Sequence, residues 1–274
     1  MELGRDRKEI EAEGLGLAVV TYDSRGALKH FSDRKGIDYP LLSDAGSATI
    51  RAFGILNENI PKDNAFYGVP FPGTYIVDRQ GMVVSKFFED DYRERYTAGA
   101  ILTRQLNIGG AKATEVETKH LKLRYWSSDD RVVGGSRIAL ALEVELAPGM
   151  HVYAPGVQSG YIPIEWKIAE SKAWLAFPAE YPKPRMLHLA AIQETAPVYE
   201  GKIRVVRDLT IAQPNELRAA LGPQQGMIQV EGSFRYQACD DKVCYTPQTI
   251  ALHWNLEEAQ HDRERVPAEL RSIK

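Results

Sequence analysis

Only two cysteines occur in the 274 residues, Cys239 and Cys244, five positions apart near the end of the chain. So low a count excludes a disulfide-stapled scaffold, and no second ligand cluster accompanies the pair to make a structural zinc site. The six histidines are scattered without helical or hairpin ligand spacing, so neither a metal nor another cofactor is expected. Long hydrophobic runs are missing too. None approaches the roughly 20 residues needed to cross a bilayer, and Met1 to Glu13 lacks the apolar core of a signal peptide. Neither sign of charge dominates, with 34 Lys and Arg against 37 Asp and Glu and a net charge of -3. That balance gives no electrostatic case for nucleic acid or an anionic membrane.

What is present is an ordinary globular composition, long enough for two domains with their own cores. The pattern changes near residue 110. Before it, apolar runs alternate with helical patterns, as in an α/β arrangement. Leu15 to Thr21 reads as a buried strand. Ser24 is placed to cap a helix carrying Leu28 and Phe31, and Asp44 or Ser47 a shorter one through Ile50 that stops at Gly54. Thr74 to Asp78 and Met82 to Phe88 read as strands of a hairpin turned by Arg79-Gln80-Gly81. A closing helix is expected over Tyr96 to Leu106. The stretch Asn107 to Thr118, with Gly109-Gly110, reads as a linker. Beyond it, Ile138, Leu140, Leu142, Val144 and Leu146 alternate with Ala139, Ala141, Glu143 and Glu145, as in a half-buried strand. Ile203, Val205, Leu209 and Ile211 repeat that alternation, interrupted by Arg207. Runs through Ile228–Tyr236 and Ile250–Leu256 follow, and Ala147-Pro148-Gly149 is a turn signal. Trp126, Trp166, Trp174 and Trp254 are assigned to the core. Several short strands without a long helix predict an antiparallel β-sandwich. The expected organisation is a first domain over 1–110, a linker at 111–118, a sandwich over 119–258 and a charged tail over 259–274.

Three stretches of the first half, LGLAVVTYDS from Leu15, YPLLSDAGSATIRAFGI from Tyr39 and PGTYIVDRQGMVV from Pro72, resemble the thioredoxin-like redoxin family that includes the peroxiredoxins. The resemblance implies a thioredoxin-like fold in which a strand and a cysteine-bearing turn precede the first of these stretches. Here Met1-Glu2-Leu3 falls within the helix that follows that turn, so an incomplete domain and a segment upstream are expected. Residues 1–238 hold no cysteine, and thiol chemistry needs a thiolate. Antioxidant peroxidase activity would therefore require a cysteine upstream.

Cys239-Asp240-Asp241-Lys242-Val243-Cys244 falls between two predicted strands, on a tight loop. A bridge there would add only about 2 kcal/mol by loop entropy. Spacing alone leaves a redox pair, a structural disulfide and two unlinked thiols open. Lys242 would favour a thiolate, whereas Asp240 and Asp241 would oppose it.

The segment YQACDDKVCYTPQT from Tyr236 resembles the N-terminal domain of the disulfide reductase DsbD, with thinner similarity over 119–256. That resemblance implies an immunoglobulin-like sandwich working as a thiol–disulfide oxidoreductase between thioredoxin-fold partners and disulfide-bearing clients. It matches Cys244 to the outward cysteine that forms mixed disulfides and Cys239 to its resolving partner. Tyr153 matches a site-lining aromatic and Tyr199 a shielding cap. His151 stands close enough in sequence to tune a thiolate. The acidic pair of the family is replaced by Pro197-Val198, leaving Glu194 as the acidic group within reach. A periplasmic or extracellular setting is expected from the resemblance. The alternative of another class is a docking module in which the disulfide is structural.

Overall fold

The computed structural model describes residues 2–64, 66–88, 93–106, 112–158, 160–189, 194–222, 226–260, 264 and 267. It is mostly β, with few helices, and divides into two compact units, Met1–Ala98 with Gln260–Lys274, and Gly99–Ala259.

In the first unit, α1 (Glu2–Ala12) leads to β1 (Val19–Thr21), α2 (Arg25–Lys35), β2 (Leu41–Ser43) and α3 (Ala48–Ala52). β3 (Gly73–Val77), β4 (Val83–Phe88) and the short β5 (Arg95–Tyr96) follow. The N-terminal cap of α2 is the one the sequence proposes. Ser24 accepts a hydrogen bond from the Ala27 amide, and Gly36 ends α2 at φ 62°, a left-handed conformation that glycine adopts without a Cβ penalty. Of the two candidates before α3, Asp44 does the capping, accepting from the amides of Ala48 and Ile50. Ser47 makes no side-chain cap. β1 pairs with β2 in parallel, and β3 with β4 as the expected antiparallel hairpin. Asp78 closes that turn by accepting from the amides of Gln80 and Met82. Leu15 to Thr21 differs from expectation. Only its last three residues form a strand, and Val20 is 45% exposed. With β2 its sole partner among the described strands, β1 is not covered as a central strand would be.

The helix α4 (Ala98–Gln105), expected to close the first half, belongs from Gly99 onward to the second unit, and β6 (Thr114–Glu117), β7 (Leu121–Ser127), β8 (Arg131–Val132), β9 (Ser136–Leu146) and β10 (His151–Tyr153) follow it. Next come β11 (Glu165–Ile168), β12 (Trp174–Ala176), β13 (Arg185–Leu189), β14 (Glu194–Glu200) and β15 (Lys202–Ile211). The helix α5 (Pro214–Leu221), β16 (Met227–Tyr236), β17 (Ala238–Cys239) and β18 (Gln248–Glu258) complete it. The stretch expected as a linker contains β6, which pairs antiparallel with β7; residues 107–111 lie outside the described residues, as does most of the expected tail.

One sheet runs β12-β15-β9-β7-β6 and a second β11-β16-β18-β8. Their inner faces meet in one core that includes Leu123, Ile138, Leu140, Leu142, Val205, Leu209, Val230, Phe234 and Leu252. Tyr125 of one sheet meets Trp254 of the other edge to face, with ring centroids 5.3 Å apart. Each large apolar side chain so buried contributes about 1.5–3 kcal/mol. The alternation through β9 sets this face correctly, but the strand is not half-buried, because Ala139 and Ala141 are also fully enclosed. The outer face is covered by α4: Arg204 donates to the Thr103 carbonyl, and Arg104 pairs with Asp208 at 2.7 Å. At Gly99 the backbones come so close that a Cβ would lie 2.6 Å from the Ser128 carbonyl, which requires glycine there. The Pro148-Gly149 turn appears as read, with the Met150 amide bonded to the Ala147 carbonyl and Gly149 at φ 79°.

Candidate functional site

A third, smaller sheet of the second unit, β13-β14-β10-β17, carries the cysteines. The chain leaves β16 at Tyr236, and after Gln237 the residues Ala238 and Cys239 pair with β10 before it returns as β18. β10 is therefore the centre of the site, with β14 on one side (Tyr153 opposite Val198, His151 opposite Glu200) and Cys239 opposite His151 on the other. Side chains alternate across a strand and direct partners share a face. His151, Tyr153, Ala196, Val198, Glu200 and Cys239 thus line one face, while Val152, Tyr199 and Ala238 point to the other. The packing follows this parity. Tyr153, Ala196, Val198 and Cys239 form a cluster bordered by Val157, Tyr161 and Leu187, whereas Val152, Tyr199 and Ala238 belong to the main core.

Cys239 and Cys244 form a disulfide, with Cα atoms 4.0 Å apart. The two ends differ in access: Cys239 is 1% exposed, and Cys244 lies in an exposed run that includes Asp241, Lys242 and Val243. The loop is fastened from within. Asp240 accepts from the amides of Lys242 and Val243, both at 2.8 Å, and from the Tyr245 hydroxyl at 2.8 Å. Those backbone donors, followed by the phenol, hold the Asp240 carboxyl down at about 2. Tyr245 in turn stacks on buried His120, centroids 4.3 Å apart, and its amide donates to the Ala238 carbonyl. Asp240 therefore acts chiefly as a loop cap, a role more specific than opposing a thiolate.

Tyr153 is buried, with its hydroxyl 3.9 Å from Cys244 Sγ, and Tyr161 lies against it at 4.5 Å between centroids. The Tyr161 hydroxyl donates to Glu194, and that bond is the main cause of the Tyr161 phenol rising to about 12. His151 is buried edge-on to Tyr153, and its Nε2 has no hydrogen-bond partner. Burial pushes its pKa down, against the opposing pull of Glu200, Asp241 and Asp240, so the ring is neutral at pH 7.

Of the residues singled out in sequence, Cys239, Cys244, Tyr153 and His151 meet in one place, and Glu194 reaches it through Tyr161. Tyr199 does not. It stands opposite Val152, and its hydroxyl donates to the Pro182 carbonyl at 2.8 Å, within the main core. Sequence reasoning missed Tyr161, Tyr245, His120 and the cap made by Asp240. An aspartate two and three residues before the amides it caps is a local turn signal that was available. Nothing local marks Tyr161. Among the described residues, no group of acidic, histidine or cysteine side chains is arranged to hold a metal.

This placement gives the comparisons with known proteins their meaning. Residues 129–254 match the family "Thiol:disulfide interchange protein DsbD, N-terminal". Residues 1–86 match the AhpC/TSA family. Both resemblances read from the sequence are thus found, one in each half of the chain. The DsbD-type match includes every site residue just described except His120. Among solved structures, the chain is similar to the N-terminal periplasmic domain of ScsB from Proteus mirabilis, at 17% identity and a TM-score of 0.36. That similarity covers 52% of this chain and 49% of the ScsB chain, so about half of the relative's length is spanned. The reduced DsbD N-terminal domain of Neisseria meningitidis is similar at 15% identity and a TM-score of 0.32, covering 49% of this chain and 84% of that one. No curated protein matches.

Proposed function

We propose that the second unit is a thiol–disulfide interchange domain whose reacting groups are Cys244 and Cys239. The observation that carries this reading is the unequal access to one disulfide, with Cys244 exposed and Cys239 enclosed behind Tyr153. A thiolate arriving from solvent reaches the Cys244 sulfur. Its attack forms a mixed disulfide there and expels Cys239 as a thiolate. A second thiol of the donor then attacks its own sulfur in the mixed disulfide, leaving both protein thiols reduced and the donor oxidised. In the forward half, Cys244 thiolate attacks a client disulfide and releases one client thiol. Cys239 thiolate then attacks Cys244 Sγ and releases the other, so two electrons pass to the client and the intramolecular disulfide re-forms. Tyr153 and Tyr161 shield the inner sulfur, and Glu194 orients Tyr161.

Thioredoxin-fold proteins are the proposed donors and disulfide-bearing proteins the clients. The first unit is read as a thioredoxin-like domain whose chemistry is not supplied by residues 1–86, which hold no cysteine. The family match and the oxidised pair favour an oxidising compartment such as the periplasm.

Equilibration in glutathione buffers, read by alkylation of the freed thiols, tests the reading. A midpoint between roughly −270 and −120 mV is expected, the span of exchange catalysts. Cys239→Ala should accumulate mixed disulfides through Cys244, and Cys244→Ala should not. A pair that stays oxidised below about −300 mV would instead make the disulfide structural and the unit a docking module.

A further inference from the structure

Arg207 interrupts the inward alternation of β15, taking a place in the series Ile203, Val205, Leu209 and Ile211 where an apolar residue is expected. Its surroundings give it no counter-charge. Among the described residues no carboxylate pairs with it, and its buried Nε has no acceptor. Burial lowers its pKa, and the one group pulling the other way is the Tyr181 phenol. The neighbouring arginines each have a partner that Arg207 lacks: Arg204 leaves its own Nε unpartnered but donates to the Thr103 carbonyl, Arg104 pairs with Asp208 and Glu180, and Arg137 donates to Thr210. Arg207 lies over the Trp166 ring, its guanidinium carbon 5.1 Å from the centroid.

That guanidinium lines a cleft of about 630 Å³ in the second unit, walled by Trp166, Trp174, Leu175 and Phe177. Leu175 is 60% exposed at this cleft, and Trp174, expected in the core, is only half-buried. A cleft of this size, lined mainly by apolar and aromatic side chains with a few polar ones, has the dimensions of a small-molecule site. The charges narrow the class of ligand. The other cation of the lining, Lys167, is paired with Glu165 at 2.9 Å, and Glu170 adds a negative charge to the lining. A single available guanidinium, in a lining that elsewhere carries the negative Glu170, suits a singly charged anion better than a phosphate dianion, and its planar fork matches a carboxylate.

We infer that this cleft binds a small organic carboxylate with a flat apolar body, the carboxylate on Arg207 and the body against the half-buried Trp174 and the exposed Leu175. The inference is independent of the cysteine chemistry, since none of the lining residues belongs to the small sheet that carries the disulfide.

The probe is 3-phenylpropionate, titrated into the full chain and followed by tryptophan fluorescence and amide chemical shifts. The alcohol of the same skeleton, 3-phenylpropanol, is the uncharged control. Saturable binding of the acid is expected, with shifts concentrated at residues 166–178 and 207. Arg207→Gln should weaken it by about tenfold or more, the scale of a lost charge-assisted hydrogen bond, and Cys244→Ser should leave it unchanged. Should Arg207→Gln fail to fold, Leu175→Glu decides, because it brings a competing carboxylate to an exposed position beside an intact Arg207 and should weaken binding likewise. Absence of saturation up to about 10 mM, equal binding of the alcohol, or full binding by whichever variant folds would overturn the inference.

Discussion

Asp240 shows how much a single side chain contributes to the site. One carboxylate supplies acceptors to two amides and a phenol between the cysteines, so the exposed sulfur is presented on a fastened loop. The folded pKa of about 2 lies below the ordinary 3.8. A depressed acid contributes its stabilisation fully above the unfolded value and loses it as pH falls through the folded one. The amide shifts of Lys242 and Val243 should therefore hold steady from pH 7 to about 4 and move with a midpoint near 2; a midpoint near 4 would mean that the cap is not formed in solution. In Asp240→Ala the transition should vanish. The cysteines were legible in sequence because their spacing and flanking residues are local. Tyr199 was misplaced because its face depends on which residue of β10 it opposes, and nothing within its own strand states that. Arg207 was legible as an interruption but not as a site, since its lack of a counter-ion is a property of its neighbours in space.

At the level of elements, the runs with strict alternation, β9, β15, β16 and β18, were placed correctly because a two-residue period leaves little choice of conformation. Burial of their second faces was harder to read. Ala139 and Ala141 are small enough to pass as surface residues and are nevertheless fully enclosed. Leu140, fully buried on the inner face of β9, offers a clean test of the division between core and site. Leu140→Ala should cost about 2–5 kcal/mol in denaturant unfolding while leaving the glutathione midpoint of the cysteine pair unmoved. A matching shift in that midpoint would show the two clusters to be coupled.

At the scale of the molecule, the second unit contains its own core, its own covering helix and every residue of the proposed exchange site. A protein comprising residues 99–259 should therefore unfold cooperatively and keep both the disulfide and the reactivity of Cys244, as calorimetry and alkylation would report. Loss of the near-ultraviolet signal in that fragment would assign part of its stability to the remainder of the chain. A change of period near residue 110 was readable, although the compact units divide between Ala98 and Gly99. That strand β6 occupies the presumed linker was not, because pairing with β7 is a matter of proximity and not of composition.

Strand β10 is only three residues long, yet it is written on both sides. Val152 faces the hydrophobic interior, and His151 and Tyr153 face the sulfur. A one-residue insertion or deletion ahead of it would turn the strand over, sending a histidine and a tyrosine into the core and a valine toward Cys239. Any change that keeps Val152 inward therefore keeps the disulfide-facing residues in frame, so that the packing of the core fixes the register of the proposed site.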